Sequence, residues 1–194
     1  MSGVRRFAQW GLWFGGALVM LAAVLIGIDV VLRKFFALSI GGADELAGYA
    51  LAIGTTWGLG AALLDRAHIR IDSLYLLFPQ KLRLVLDLAA LLVLVGFFAL
   101  VAWHGMSVVS QSWTSESRSQ SALETPTIIP QAMWLAGLVV FVAIGVVLLI
   151  DALRIAAAGN LRGATRLVGT RSAEEEVQDE IRDLQERHGR EGSA

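Results

Sequence analysis

The chain has 194 residues, of which 56% are apolar and only 17% charged, and its mean hydropathy is +0.63. Soluble domains have roughly 45–50% apolar and about 25% charged residues, so this composition argues against a water-soluble enzyme. Cysteine is absent, which excludes disulfides and thiol chemistry, and the net charge of −1 includes no basic run long enough to indicate nucleic-acid binding.

Four stretches without Asp, Glu, Lys or Arg are long enough to cross a bilayer, which takes about 20 apolar residues at 1.5 Å each. They are residues 7–28, 46–64, 88–115 and 125–150. The first is too long for the apolar part of a signal peptide and lacks a clear cleavage site, so we expect it to remain. We predict an all-α membrane protein with transmembrane helices near residues 10–32, 45–64, 84–111 and 131–153, within a domain covering residues 1–158.

The distribution of lysine and arginine predicts the orientation of these spans. The side that holds both termini and the connection between spans two and three carries ten of them before the acidic tail. The other side carries three, namely Arg33, Lys34 and Arg118. Because positive residues favour the cytoplasmic side, we predict a multi-pass protein of the bacterial inner membrane with both termini in the cytoplasm.

The segments outside the spans have different compositions. Residues 67–79 mix charges with apolar side chains and are too short to cross, which is typical of a segment lying in the cytoplasmic interface. Residues 111–130 are rich in Ser and Thr, and we expect an outward-facing loop or a short helical excursion. Residues 159–194 should form a cytoplasmic tail with a short acidic helix near 173–189, because Ser172 and Glu175 match a capping box.

Three aspartates lie near span ends, each with an arginine three or four residues away. These pairs are Asp29 with Arg33, Asp87 with Arg83, and Asp151 with Arg154. We favour ion pairs that steady the helix ends, while a proton- or cation-coupling site is the alternative. His104 is the only histidine inside a span and has no facing ligand, so we expect neither haem nor another cofactor. Nothing indicates a catalytic site.

Span two carries small residues at a spacing of four around a central tryptophan: Gly54, Trp57, Gly58 and Ala62. Small residues at this spacing allow helices to approach closely in lipid. Two interpretations remain open, since this face could pack inside the protein or against a partner membrane protein. In either case we expect Trp57 to lie near the middle of the membrane and to serve packing.

Several of these motifs together resemble the small membrane subunit of TRAP transporters, the DctQ family. They are DVVLR at residues 29–33, DELA at 44–47, WG at 57–58, RAHIRID at 66–72, and SAL at 121–123 followed by Pro126 and Pro130. The resemblance covers roughly residues 5–158, and the RAHIRID stretch is its most specific part. The acidic tail lies outside it.

The resemblance implies a tripartite, ATP-independent uptake system. A periplasmic binding protein would capture an organic acid, such as a dicarboxylate or a sugar acid. A large permease subunit would transport it, usually by sodium symport, with sodium bound there and not in this chain. The small subunit would brace the large one and help dock the binding protein. An independent small transporter and a membrane anchor of another complex are the alternatives.

The resemblance also assigns roles to residues, none of which should bind substrate or sodium. Subunit packing would involve Gly54, Trp57, Gly58 and Ala62. The cytoplasmic interface segment would use Arg66, His68, Arg70 and Asp72. The outer face and the docking of the binding protein would involve Asp29, Arg33, Lys34, Asp44, Glu45 and Arg118.

Overall fold

The computed structural model describes residues 2–66 and 78–169, together with Ile181 and Gln185. Residues 2–66 and 78–169 contain five helices: α1 (Ser2–Phe36), α2 (Ala43–Leu64), α3 (Gln80–Thr114), α4 (Ile128–Ala157) and α5 (Leu161–Val168). The first four are long and apolar enough to cross a membrane. The prediction of an all-α protein with four transmembrane helices is therefore confirmed, while its orientation stays a prediction.

Two predicted elements lie mainly outside the residues that the structure describes. The interfacial segment at residues 67–79 lies outside the described residues except for Phe78 and Pro79, and so do its candidate residues His68, Arg70 and Asp72. The acidic helix predicted at residues 173–189 is described only at Ile181 and Gln185, which are both helical.

The helix ends follow from local chemistry. The last turn of α1 contains Arg33 and Lys34, which are favourable at the negative end of a helix dipole. The chain then turns through Gly41 and Gly42, whose φ angles of +64° and +91° suit glycine, and α2 begins at once. Pro130 lies in the first turn of α4, where proline costs no hydrogen bond.

The four long helices are arranged as a row and not as a closed bundle. Among the described residues, α1 packs along α2, α2 along α4, and α4 along α3, with few contacts between α1 and the last two helices. The row therefore has two edges, one formed by α1 and the other by α3. Large apolar side chains are exposed on both, for example Trp13 at 78% and Trp103 at 72%. This exposure is what lipid or a membrane partner can cover.

The packed core lies where α2, α3 and α4 meet. Phe141 is its largest buried apolar side chain and packs edge-on against Phe98 at a centroid distance of 4.7 Å. The buried residues of this cluster are Ala8, Ala61, Leu63, Leu91, Val95, Phe141, Ile144 and Leu148. They hold the middle of the row together, and α1 joins the row mainly through its contact with α2.

Helix α5 fills a space left by the shorter α2. Leu63, Val95 and Gly145 lie side by side, so α2 ends where α3 still has residues 80–94 to run, about 22 Å at 1.5 Å per residue. There α5 packs against α3 and α4, and Asn160 caps it by accepting a 2.9 Å hydrogen bond from the Gly163 amide. This helix was not predicted from the sequence.

Candidate functional site

The charged and polar residues group at two ends of the row. One end carries the α1–α2 connection and the α3–α4 loop, and we call it the loop end. The opposite end carries the start of α1, the end of α2 and α5, and we call it the terminal end. The predicted outer-face residues all lie at or next to the loop end.

Asp29 organises the α1–α2 connection at the loop end. It is only 1% exposed, and it accepts hydrogen bonds from the Ile40 amide at 2.7 Å and from the Ser39 hydroxyl at 3.1 Å. Arg33, one turn further along α1, forms an ion pair with the same carboxylate. The predicted pairing of Asp29 with Arg33 is thus confirmed, and the carboxylate also binds the turn that follows.

Arg33 connects this turn to the start of α2. Its Nη2 lies 3.5 Å from Oδ2 of Asp44, whose side chain is 81% exposed. An ion pair this exposed contributes only about 0–1 kcal/mol, so Asp44 remains accessible to a partner. Lys34, the next residue on α1, is also exposed. Arg33 therefore bridges the buried carboxylate of Asp29 and the solvent-facing carboxylate of Asp44.

Glu45 links α2 to the α3–α4 loop. Its carboxylate accepts a hydrogen bond from the hydroxyl of Ser121, 76 residues away in sequence. Next to it, Leu123 lies against Gly42, where a Cβ atom would come within 2.5 Å of the leucine Cδ1. Ala122 approaches Gly41 in the same way, at 3.5 Å from a Cβ placed there. The tip of the loop therefore sits directly on the α1–α2 connection.

The α3–α4 loop is folded on itself by its own hydrogen bonds. The amides of Ser119 and Thr127 donate to the carbonyls of Thr125 and Ser117 at 2.9 and 3.0 Å. Arg118 is exposed, and its guanidinium donates to the carbonyl of Glu124 at 3.3 Å. Residues 37–45 and 115–127 thus form one connected surface, which we call the loop platform. The serines and threonines noted in the sequence of this loop form many of its internal hydrogen bonds.

The contact between α1 and α2 depends on glycines from both helices. A Cβ atom at Gly15 would lie 2.5 Å from the carbonyl oxygen of Gly54, and one at Gly11 would lie 2.9 Å from that of Trp57. Gly54, which was predicted to pack, therefore packs inside the protein. Its partner Gly15, and Gly11, which lies against Trp57, were missed, although their spacing of four on α1 is the same signal that singled out Gly54 and Gly58.

Trp57 joins α1, α2 and α4. Its ring packs edge-on against Phe14 at a centroid distance of 5.7 Å, and its Nε1 donates to the carbonyl oxygen of Met133 at 3.0 Å. Gly137 makes this possible, because a Cβ there would lie 2.6 Å from the Thr56 hydroxyl and 3.0 Å from the indole. Trp57 is thus an internal contact, and Gly137 was not recognised from sequence.

The other two small residues of α2 are less tightly packed. A Cβ at Gly58 would meet Leu12 at 3.6 Å, an ordinary contact distance, and Ala62 is half-buried. Gly60, which was not singled out, faces α4, where a Cβ would lie 2.7 Å from Ile144. The small face of α2 is therefore used largely within this chain.

At the terminal end, ion pairs and hydrogen bonds join the helices. Arg5 lies 3.5 Å from Asp65, both half exposed, and Arg66 donates to the Gly169 carbonyl at 3.4 Å. Asp151 lies 3.8 Å from Arg154, which confirms that predicted pair.

Asp87 is the second buried aspartate and lies at the terminal end. It is 1% exposed, and its Oδ2 would be 3.2 Å from a Cβ at Gly169. Its predicted pairing with Arg83 stays a prediction. Among the described residues, no three His, Cys, Asp or Glu side chains form a metal-binding group.

One comparison with known proteins found a match. The sequence model of a family described as "Tripartite ATP-independent periplasmic transporters, DctQ component" matches residues 21–155, which include α2, α3, most of α4 and the loop platform. The searches of curated proteins and of solved structures returned no match. The matched region covers more than half of the chain, and the chain is therefore a multi-pass membrane protein of the DctQ family, a component of tripartite ATP-independent periplasmic transporters.

Proposed function

We propose that this chain is the small permease subunit that braces a large permease subunit and helps dock a periplasmic substrate-binding protein. The transport would be uptake of an organic acid, such as a dicarboxylate or a sugar acid, driven by an ion gradient. Sodium and substrate would bind to the large subunit. The protein would reside in the bacterial inner membrane with the loop end facing the periplasm and both termini in the cytoplasm.

The observation that carries this proposal is the loop platform. Two segments that are 70 or more residues apart are tied together by Glu45 with Ser121 and by Leu123 on Gly42. A binding protein needs a surface whose shape persists between encounters, because ordering a loop on binding reduces affinity. The exposed charges of Asp44 and Arg118 are then available for electrostatic steering.

The row of helices supports the bracing part. An open row buries little of its own surface and offers long faces to another membrane protein. In the α1–α2 contact, by contrast, backbone meets backbone at glycines, and in the loop platform the side chains of Ala122 and Leu123 lie directly on Gly41 and Gly42. A stiff element with unused outer faces suits a fixed support better than a moving transport domain.

Affinity purification of the tagged chain from native membranes in mild detergent tests the subunit role. We expect a stoichiometric membrane protein with many more spans to co-purify. Isolation of the chain alone or as a homo-oligomer that transports solute in liposomes would contradict the proposal and favour an independent transporter. Co-purification of a soluble redox complex would favour the anchor alternative.

Two matched aspartates at opposite ends of α2 test the docking role. Asp44 and Asp65 are each exposed and each lie 3.5 Å from an α1 arginine. We expect Asp44→Asn to slow association of the binding protein with the reconstituted complex several-fold at low salt. Asp65→Asn should leave it unchanged, because that residue would face the cytoplasm. Equal effects of both changes, or none from Asp44→Asn, would count against docking at the loop platform.

A further inference from the structure

The two edges of the row differ in polarity at membrane depth. At the α3 edge, His104, Ser107 and Gln111 are all exposed, and their spacing of three and four residues puts them on one face of the helix. At the α1 edge, residues 11–28 contain no charged, amide or hydroxyl side chain. Helices that face lipid all along their length have no reason to carry such a polar face.

Contacts between neighbouring helices give the depth of His104. A Cβ at Gly137 would meet Thr56, close to the middle of α2, which is about 33 Å long at 1.5 Å per residue. A Cβ at Gly105 would meet Trp134, one turn before Gly137 on α4. His104 therefore lies level with the centre of α2, at the middle of an apolar layer about 30 Å thick.

The other two polar residues lie in the same half of the layer. Ser107 is three and Gln111 seven residues beyond His104, so they lie about 4.5 and 10.5 Å nearer the loop end. Both remain within about 15 Å of the midplane, which is half of the layer. Within the described part of the chain, none of the three side chains takes part in a hydrogen bond. Lipid tails offer no hydrogen-bonding partners at this depth. The Ser107 hydroxyl can turn to a carbonyl of its own helix, but His104 and Gln111 need partners from another protein.

We propose that the α3 edge, through His104, Ser107 and Gln111, is the surface on which the large permease subunit packs, while the α1 edge faces lipid. This inference rests on the proposed function. The occupant would be a transmembrane helix with its own side-chain donors and acceptors. A different protein fits better than a second copy, because the family forms one component of a tripartite system.

Two further features suit this occupant. The α3 edge has a shallow groove of about 450 Å³ that can receive side chains from a facing helix. It is lined by Trp103, Met106, Ser107, Ser110, Gln111 and Thr114. In addition, α3 leads directly into the α3–α4 loop. A partner on this edge would lie beside the loop platform, so both could contact one binding protein.

Photo-crosslinking in native membranes tests the proposal. A benzophenone amino acid is placed at position 107 or, as a matched control on the α1 edge, at position 20, where Met20 is 67% exposed. We expect position 107 to give a covalent adduct with the mass of the co-purifying large subunit, and position 20 to give none. An adduct from position 20 alone, a homodimer from position 107, or no adduct from position 107 while the partner co-purifies would each overturn this inference.

Those three outcomes leave the subunit role intact, so the two proposals can fail separately. If no large partner co-purifies with the unmodified chain, the proposed function fails, and the inference fails with it. A second measurement uses His104→Leu together with Gln111→Leu. We expect at least a five-fold loss of co-purified partner without a lower melting temperature of the isolated chain. If the variant lost co-purified partner and also had a lower melting temperature as the isolated chain, the two residues would act inside the fold, and the inference would be overturned.

Discussion

The contact between α1 and α2 makes a sharp stability prediction. In the variant Gly15→Ala, the new Cβ would lie 2.5 Å from the Gly54 carbonyl oxygen and 3.0 Å from the Gly54 Cα. Both opposing atoms belong to a backbone held in a helix, so no side-chain rotation can relieve the overlap. The two helices must separate by several tenths of an ångström or more along this contact.

The size of the effect follows from packing energetics. Inserting a methyl group into a closely packed contact costs about 1–3 kcal/mol. Replacing glycine by alanine within a helix returns up to about 1 kcal/mol through helix propensity. Gly16 is the matched control, since it is the next residue on α1 and a Cβ there would meet nothing within 4 Å. The difference between Gly15→Ala and Gly16→Ala therefore isolates the steric cost.

Reversible unfolding of the purified chain in mixed micelles, with increasing denaturing detergent, measures this difference. We expect Gly15→Ala to be about 1–3 kcal/mol less stable than Gly16→Ala. In a thermal assay this corresponds to roughly 2–4 °C for each kcal/mol in a chain of this size. Equal stabilities of the two variants would refute the close backbone contact between α1 and α2.

Three further changes probe other parts of the fold. Trp57→Phe keeps an aromatic ring but removes one interhelical hydrogen bond. In the same assay the free energy of unfolding should fall by about 0.6 and at most about 1.7 kcal/mol. Asp29→Asn weakens the charge-assisted hydrogen bonds to the α1–α2 turn, and we expect the free energy of unfolding to fall by about 1.5–3 kcal/mol. The exposed Asp44→Asn is the control. Ser121→Ala removes one hydrogen bond between the α3–α4 loop and the Glu45 carboxylate, so amide hydrogen exchange at residues 119–127 should accelerate while that of α4 stays unchanged.

Much of the fold was predictable because it depends on local sequence. A bilayer requires backbone groups to pair within each helix, so long charge-free stretches identified all four transmembrane helices. Pairs such as Asp29 with Arg33 and Asp151 with Arg154 also follow from helix geometry, since residues three or four apart lie on one face. The family followed from motifs near the helix ends, which the family comparison then supported over residues 21–155.

The parts that could not be predicted depend on which helix faces which. Lipid is as apolar as a protein core, so the hydrophobic pattern of α1 does not distinguish the face against α2 from the face against the membrane. For this reason Gly137 was missed, and Gly58 was ranked with Gly54 although only Gly54 meets another backbone. The spacing of Gly11 and Gly15 was visible in the sequence, but it does not show which helix they face.

The amino-acid sequence by itself determined the number of spans, their approximate limits, the local ion pairs and the family. Only the tertiary structure decided that the helices form an open row, that the tip of the α3–α4 loop rests on the α1–α2 connection, and that the indole of Trp57 bonds to a carbonyl of α4. The physical reason is that helix formation in lipid is satisfied within each segment. The choice between neighbouring helices depends instead on shape complementarity between residues far apart in the chain.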